Sequence, residues 1–342
     1  MGERRLILHL FSVVVLAAVV GCAEDSSPAK SDKGAAEEAA TDSAKTSSER
    51  GERRSIVMIP KATQASFWNA VRRGAEKAAE EENVDLTWKG PARDNDRSEQ
   101  KKLIQQFLSE GFDGILLAPT DNAVLVPEVR AAKDKGIPVL IFDSALDGEP
   151  GEDFVGFIAT DNLAAGKLGG KHLMDLVGKG GKTILFRHME GQQSTSLREQ
   201  GALDEMKAED AEVLVENRYT GKDASDAQKT ALNMIDTIRE ADGIFASNQT
   251  ASEGLLIALQ KNNLTGKVKV VGFDSSPLLV EALAKGEIDA LVVQDPVNMG
   301  YMSVKAMVDH LDGKQIEPVV STACKLVTRE NMNDAEIKPL IE

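Results

Sequence analysis

The chain is poor in the residues that carry most enzyme chemistry. Of its 342 residues only two are cysteine, Cys22 and Cys324, and four are histidine. Two cysteines give no disulfide framework. Cys324 is expected to pack as a small apolar residue; read instead as a reactive thiol, it has only Lys325 as a basic neighbour. Beyond the N-terminal segment the histidines are His172, His188 and His310, far apart and without partner motifs. HExxH, GxSxG and cysteine pairs at metal spacing are missing. AAGKLGGK (Ala164–Lys171) lacks the spacing of a phosphate loop, and its glycines are expected to let helices approach closely. DNDR (Asp94–Arg97) could hold a cation, but a helix N-cap at Asp96 or Ser98 is the plainer reading. His188, in RHMEG, lies near a strand end; it reads either as a ligand contact or, more plainly, as a solvated loop residue. We therefore expect no catalytic residue, no metal and no cofactor. Aromatic residues make up 4 % of the chain, whereas Gly and Ala are plentiful, as in α/β proteins with close helix–sheet packing. Bases are outnumbered too: 40 Lys and Arg against 55 Asp and Glu, a net charge of −15. Such a chain is a poor partner for nucleic acid, whose phosphates need Lys and Arg.

What is present begins with a targeting pattern. Arg4 and Arg5 precede an apolar run, Leu6–Val20, too short for a spanning helix. The run ends in VVGC, which resembles a bacterial lipobox, so Cys22 is the expected lipidation site; a cleaved secretory signal with an incidental cysteine is the alternative. Several acyl chains on one cysteine anchor stably, whereas one holds weakly. Ala23–Arg54 has no large apolar residue and cannot bury enough surface to fold. It reads as a tether with a mean reach of roughly 30 Å. The folded part is therefore expected outside the cytoplasm, in the periplasm or at the cell surface, held to a membrane by its N-terminus.

From Ser55 the pattern alternates strand and helix. Strands are expected at Ile56–Ile59, Val84–Trp88, Gly114–Leu117, Val139–Phe142 and Phe154–Ile158. Further strands are expected at Thr183–Phe186, Val213–Asn217, Gly243–Ala246, Val268–Gly272 and, last, Ala290–Val293. Amphipathic helices separate them, among them Phe67–Glu82, Ser98–Glu110, Asn162–Val177, Ser196–Ala208, Ser225–Glu240 and Thr250–Asn262. Repeated β-α-β units imply right-handed crossovers and parallel sheets. The strands are too many for one comfortable sheet, so two doubly wound lobes with a cleft between them are expected.

Open α/β sheets bind ligands beyond the carboxyl ends of their strands. Lys61 follows the first strand, and Phe67 and Trp68 open the first helix. Consecutive helical side chains diverge by about 100°, so one ring can enter the core while the other faces a ligand; alternatively, both are core anchors. Asp143, Asn248, Asp274 and Gln294 each follow a strand, and Arg198 lies near the start of the helix after Phe186. Asp143, Asn248 and Asp274 could equally be helix caps. Carboxylates, amides and an Arg fork suit neighbouring hydroxyls, and aromatic faces suit the C–H faces of a sugar ring.

From about Ser55 to Glu330 the chain resembles the periplasmic sugar-binding proteins of the ribose/galactose type, the substrate-binding components of ABC transporters. The matching landmarks are PKATQASFW, VLIFDS, FIATDNLAAG, the R-x-x-G of Arg198–Gly201, IFASNQTASEG, VVGFDSSP and LVVQDP. The resemblance implies two lobes with three crossovers, near Thr160, Gln294 and Ser321, that hinge around the ligand. It implies lobe one as 55–159 plus 295–321 and lobe two as 160–294 plus 322–342, after a signal at 1–21 and a tether at 22–54. It implies stacking by Phe67 and Trp68, and hydroxyl binding by Asp143, Arg198, Asn248, Asp274 and Gln294. The partners implied are a monosaccharide (pentose or hexose) and a membrane permease, with the protein a monomer. The chain also departs from the ribose type. Ala65 stands where that type has Asn, Ser144 where it has Arg after the Asp, and Ser225 near a position where some members have an aromatic. IPK, WKGP (Trp88–Pro91) and Asp143-Ser144 instead resemble the rhamnose- and autoinducer-2-binding branch, which adds Lys61 as a ligand contact but lacks the arginine motif. A rhamnose- or autoinducer-2-type protein, or a sugar sensor, is therefore the alternative. Transcription regulators of the same core begin with a DNA-binding helix-turn-helix, and here an export signal and acidic tether take that place.

Overall fold

The structure, a computed structural model, describes residues 53–342. Cys22, the expected signal and nearly all of the expected tether lie outside the described residues.

The described chain builds two six-stranded sheets. The first holds β1 (Ser55–Ile59), β2 (Asp85–Trp88), β3 (Gly114–Leu117), β4 (Val139–Phe142), β5 (Phe157–Thr160) and β11 (Val319–Thr322), in the order β11-β5-β4-β3-β1-β2. The second holds β6 (Lys182–Arg187), β7 (Glu212–Tyr219), β8 (Gly243–Ala246), β9 (Lys269–Phe273), β10 (Ala290–Gln294) and β12 (Cys324–Thr328), in the order β12-β10-β9-β8-β6-β7. The two orders match strand for strand, so β4 and β9 hold the same place in their sheets. All pairings are parallel except β10 with β12. The chain leaves the first sheet after Thr160, returns after Gln294 and leaves again after Thr322.

Continuous apolar strands form this sheet because helices cover both faces. Along β1 alternate residues part company: Ile56 and Met58 join one core with Val71 and Met299, whereas Val57 and Ile59 join another with Ile104 and Val129. The second sheet is sandwiched in the same way between two cores, one with Leu255 and Leu279, the other with Leu173 and Met206.

Three expectations need correction. The strand expected at Phe154–Ile158 starts at Phe157; Phe154 is buried because its loop folds onto the core beside Ile141, not because it pairs in the sheet. The helix expected over Ser225–Glu240 is two, Ala224–Asn233 and Ile235–Glu240, broken at Met234. Ala231, Met234 and Ile238 are all buried in one core, so the apolar spacing runs through the break unchanged and hides it. Ala290–Val293 is not the last strand. The strands β11 and β12 follow it, half-exposed and without the continuous apolar run that marks the others.

Helix pairs approach closely through glycine. A Cβ on Gly166 would lie 2.1 Å from the carbonyl oxygen of Arg198, and one on Gly201 would lie 2.3 Å from that of Leu163. The helices Asn162–Val177 and Gln193–Ala208 therefore touch backbone to backbone, as the glycines of AAGKLGGK led us to expect. Gly166→Ala must push the backbone of Arg198 away. Overpacking of this kind costs about 1–3 kcal/mol, so chemical denaturation should show a lower midpoint with an unchanged slope. An unaltered midpoint would mean that the helices have slack.

Candidate functional site

A cavity of ≈ 480 Å³ lies between the two sheets, at the carboxyl ends of strands from both. Lys61, Phe67, Trp68, Asp143, Arg198, Asn248, Asp274 and Gln294 all line it. Their side chains come from opposite lobes, and contacts span the gap between the lobes. Lys61 Nζ donates to Ser194 Oγ (2.9 Å), Ser194 N–H donates to Ser144 Oγ (3.2 Å), and Phe67 N–H donates to Gln249 Oε1 (3.1 Å). The cleft is shut.

Asp143 and Asp274 directly follow β4 and β9, the equivalent strands. Both have left-handed backbones, with φ of 63° and 67°. Asp tolerates this region better than most residues, and strain of this kind persists where surrounding structure enforces it. Neither residue caps a helix. Ser276, not Asp274, caps the helix Pro277–Lys285, and the chain after Asp143 is loop as far as β5. Asp274 Oδ1 accepts from Gln294 Nε2 (2.6 Å), and Oδ2 accepts from Gln249 N–H (3.0 Å). Burial pushes its carboxyl above the usual range, with Arg198, Gln294 and Gln249 working against that rise. Lys61 Nζ lies 2.8 Å from Asp143 Oδ2, yet that oxygen has no partner in hydrogen-bond geometry. The contact is ionic, and the oxygen keeps a lone pair free.

Arg198 is buried and held on three sides. Its Nε donates to Asn162 Oδ1 (2.7 Å), Nη1 donates to Ser247 O (3.4 Å), and the guanidinium lies 4.0 Å from the centre of the Phe273 ring. Burial lowers its pKa, and Asp274 and Asp143 act to restore it. Asn248 is both a cap and a cavity residue. Its Oδ1 accepts from Ala251 N–H (3.0 Å), which turns the amide nitrogen away from the helix. Phe67 and Trp68 do not divide between core and cleft. Both are buried in one core, set edge to face at 5.0 Å, and both line the cavity. Gln294 Oε1 accepts from Thr160 Oγ1 (2.9 Å), and Thr160 Oγ1 lies 3.3 Å from Thr322 Oγ1. The three crossings are thus linked to one another and, through Gln294, to Asp274.

Sequence reasoning missed several residues. Asp94 lines the cavity from the loop after β2, while Asp96 caps the next helix through Glu99 N–H (3.0 Å). His188 is not solvated: it is fully buried, with Nε2 3.4 Å from Asp94 Oδ2. Burial works to raise the Asp94 carboxyl, but the hydrogen bond and charge of His188, with Lys61, hold it below the usual range. Glu199 is buried beside Arg198. Its Oε1 accepts from His188 N–H (2.8 Å) and Ser247 Oγ (2.9 Å), and burial raises its pKa. Gln192, Ser194, Thr195 and Gln249 also line the cavity. Among the described residues no group of acidic, histidine and cysteine side chains could hold a metal ion, and no helix is long and apolar enough to cross a membrane. The site can bind and desolvate a polar ring.

Two similar lobes shut on a cavity of aromatic faces, carboxylates and amides define a solute receptor. The periplasmic binding protein domain matches residues 56–315, and the chain belongs to that family. The chain is 27 % identical to the D-allose-binding periplasmic protein of Escherichia coli (strain K12), over 77 % of this chain and 86 % of that one. It superposes with a TM-score of 0.81 on an ABC transporter solute-binding protein of Agrobacterium vitis bearing D-fucose. That protein is 29 % identical, with 84 % of this chain and all of the other covered. The periplasmic component of an ABC-type sugar transport system from Hahella chejuensis is 32 % identical (TM-score 0.77), over 80 % of this chain and 99 % of that one.

Proposed function

We propose that the protein captures a monosaccharide, pentose or hexose, outside the cytoplasm and delivers it to an ABC-transporter permease. The observation that carries this reading is the meeting of eight side chains from distant parts of the sequence around one cavity between the lobes. In this reading Phe67 and Trp68 face the ring, while Asp143 and Asp274 accept from hydroxyls. Arg198, Asn248 and Gln294 donate, and Lys61 holds Asp143. The D-allose- and D-fucose-binding relatives support a sugar as the solute. The segments around Thr160, Gln294 and Thr322 serve as the hinge, bounding the lobes at 55–160 plus 295–322 and 161–294 plus 323–342, one residue beyond the expected bounds at Thr160 and Thr322. The ligand shifts an open–closed equilibrium through its preference for the closed form. The protein acts as a monomer and turns nothing over. A lipid on Cys22 tethers it, and the acidic stretch that follows spans the distance to the membrane.

The test is a thermal-shift screen of the folded part, from about Gly51, against pentoses, hexoses, deoxy-sugars and autoinducer-2. A ligand at 100 times its dissociation constant adds about 2.7 kcal/mol, several degrees of melting temperature. A pentose or hexose hit is expected. A hit on rhamnose or autoinducer-2 alone would hand the ligand to the Lys61–Asp143 pair and displace the aldose reading. Silence across the panel would sink the sugar reading.

A further inference from the structure

The loop after β6 makes most of the contacts that close the cleft on the side away from the three crossings. Gln192 Nε2 donates to Asp94 Oδ1 (2.9 Å), and His188 Nε2 meets Asp94 Oδ2 at 3.4 Å. Asn95 N–H also donates to Asp94 Oδ1, at 2.7 Å. Both Asp94 oxygens are therefore occupied by protein, although the residue lines the ligand cavity. Beside this bridge the backbones also meet, with Asn122 N–H donating to Gly191 O (3.4 Å) and Arg97 Nη2 to Glu190 O (3.3 Å). On its outer side lies a second hollow of ≈ 490 Å³, bounded by Asn95, Arg97, Asp121, Met189, Gly191 and Tyr219. Asp94 and Gln192 border the inner cavity, and their chain neighbours Asn95 and Gly191 border the outer one. The two spaces, of ≈ 480 and ≈ 490 Å³, are thus lined by residues one position apart in the chain at both places.

We propose that Asp94, Gln192 and His188 form a length-limiting wall: they are specificity-determining residues that admit one sugar ring and reject glycosides and disaccharides. The inference rests on the reading of the cavity as a monosaccharide site. Its chemistry follows from the contacts. A substituent extending from a bound ring toward Asp94 must break a carboxylate bridge that joins both lobes, and so opposes closure. With the bridge gone, the same substituent would enter the outer hollow, whose exposed Tyr219 offers an aromatic face and whose Arg97 offers donors. His188 is the rigid back of the wall, since it is fully buried and its N–H is fixed by Glu199.

The experiment compares the wild-type protein with Asp94→Ala/Gln192→Ala by titration calorimetry. The probes are the sugar found in the thermal screen, its methyl and phenyl glycosides, and a disaccharide ending in it. The wild type is expected to bind each glycoside at least tenfold more weakly than the free sugar. The double variant should lose affinity for the free sugar, and the glycoside-to-free ratio should shift at least tenfold in favour of the glycoside. An unchanged ratio, or a wild type that takes glycosides and free sugar equally, overturns the wall. A wild type that binds no panel sugar counts against the monosaccharide reading instead. The crystal structure of the double variant then decides: one continuous channel from Trp68 to Tyr219 supports the wall, and a channel closed by other side chains overturns it.

Discussion

Replacing Arg198 with alanine should weaken sugar binding by on the order of 100-fold or more. The guanidinium is buried, fixed by Asn162 and the Ser247 carbonyl and backed by the Phe273 ring. Its position is set before a ligand arrives, so its free N–H groups meet the ligand at little ordering cost. Removing one partner from a buried set of charges costs about 3–5 kcal/mol, and each 1.4 kcal/mol is tenfold in affinity. Asp274 would then be left with a buried charge and no cation, and its carboxyl, already raised by burial, should rise further. The sign of the pH effect follows. A carboxyl whose folded pKa exceeds its unfolded value takes up a proton on folding. Its contribution to stability is full below the unfolded value and is lost as pH rises through the folded one. Calorimetric titration and melting curves across pH check both effects. Arg198→Lys keeps the charge but not the planar fork, and should recover the pH profile more than the affinity. Full affinity in Arg198→Ala would remove the residue from the site.

The largest loss of stability is expected from Trp68→Ala. Trp68 is 5 % exposed and packs edge to face against both Phe67 (5.0 Å) and Phe142 (6.4 Å). Large-to-small replacement of a buried aromatic costs about 3–5 kcal/mol, and aromatic pairs add about 0.5–1.5 kcal/mol each beyond area. A domain holds only about 5–15 kcal/mol in total, so the variant should melt roughly 10 °C lower. It should also lose sugar affinity, because the same ring lines the cavity. Trp68→Phe separates the two roles: it refills most of the core, so its melting temperature should recover while its affinity stays reduced. A Trp68→Ala protein that melts within a degree or two of the wild type would show that the ring carries little of the core.

The strand–helix alternation was legible because buried parallel strands are short, continuous and apolar, and the helices between them keep their stripe. Residues at strand ends were legible for the same reason: once VLIF and KVVGF are strands, Asp143 and Asp274 stand just past them. What spacing could not reveal was pairing across the cleft. Asp94 sits in a run that reads as a helix start, and Asp96 does cap that helix. Nothing near Asp94 in sequence announces that its partners are Gln192 and His188, in the other lobe. Ser194, Thr195 and Gln249 are small or neutral polar residues of a kind found in any helix start. Glu199 looks like an ordinary helical glutamate, and only the packing shows that it joins the ends of β6 and β8 through His188 and Ser247. Asn248 shows that cap and cavity residue are compatible roles, since one side-chain atom caps and the other is left over.

The order in which the sheets are completed bears on how the chain acquires its structure. The helix Pro296–Leu311 packs on Ser66–Glu81 so tightly that a Cβ on Gly74 would lie 1.8 Å from Val297 O. Met299, Val304 and Met307 fill a core begun by Ile56 and Met58. The first sheet also waits for its edge strand, β11, until nearly the end of the chain. The first lobe synthesised is therefore completed only after most of the second, whose own last strand, β12, comes later still. Contacts spanning more than two hundred residues slow folding, and until they form one apolar face of the first sheet lies bare. This connectivity keeps the early lobe open until the later segments arrive. It also means that no single cut releases an intact lobe: a fragment ending at Thr160 would lack both the helix that covers Met58 and the strand that borders β5.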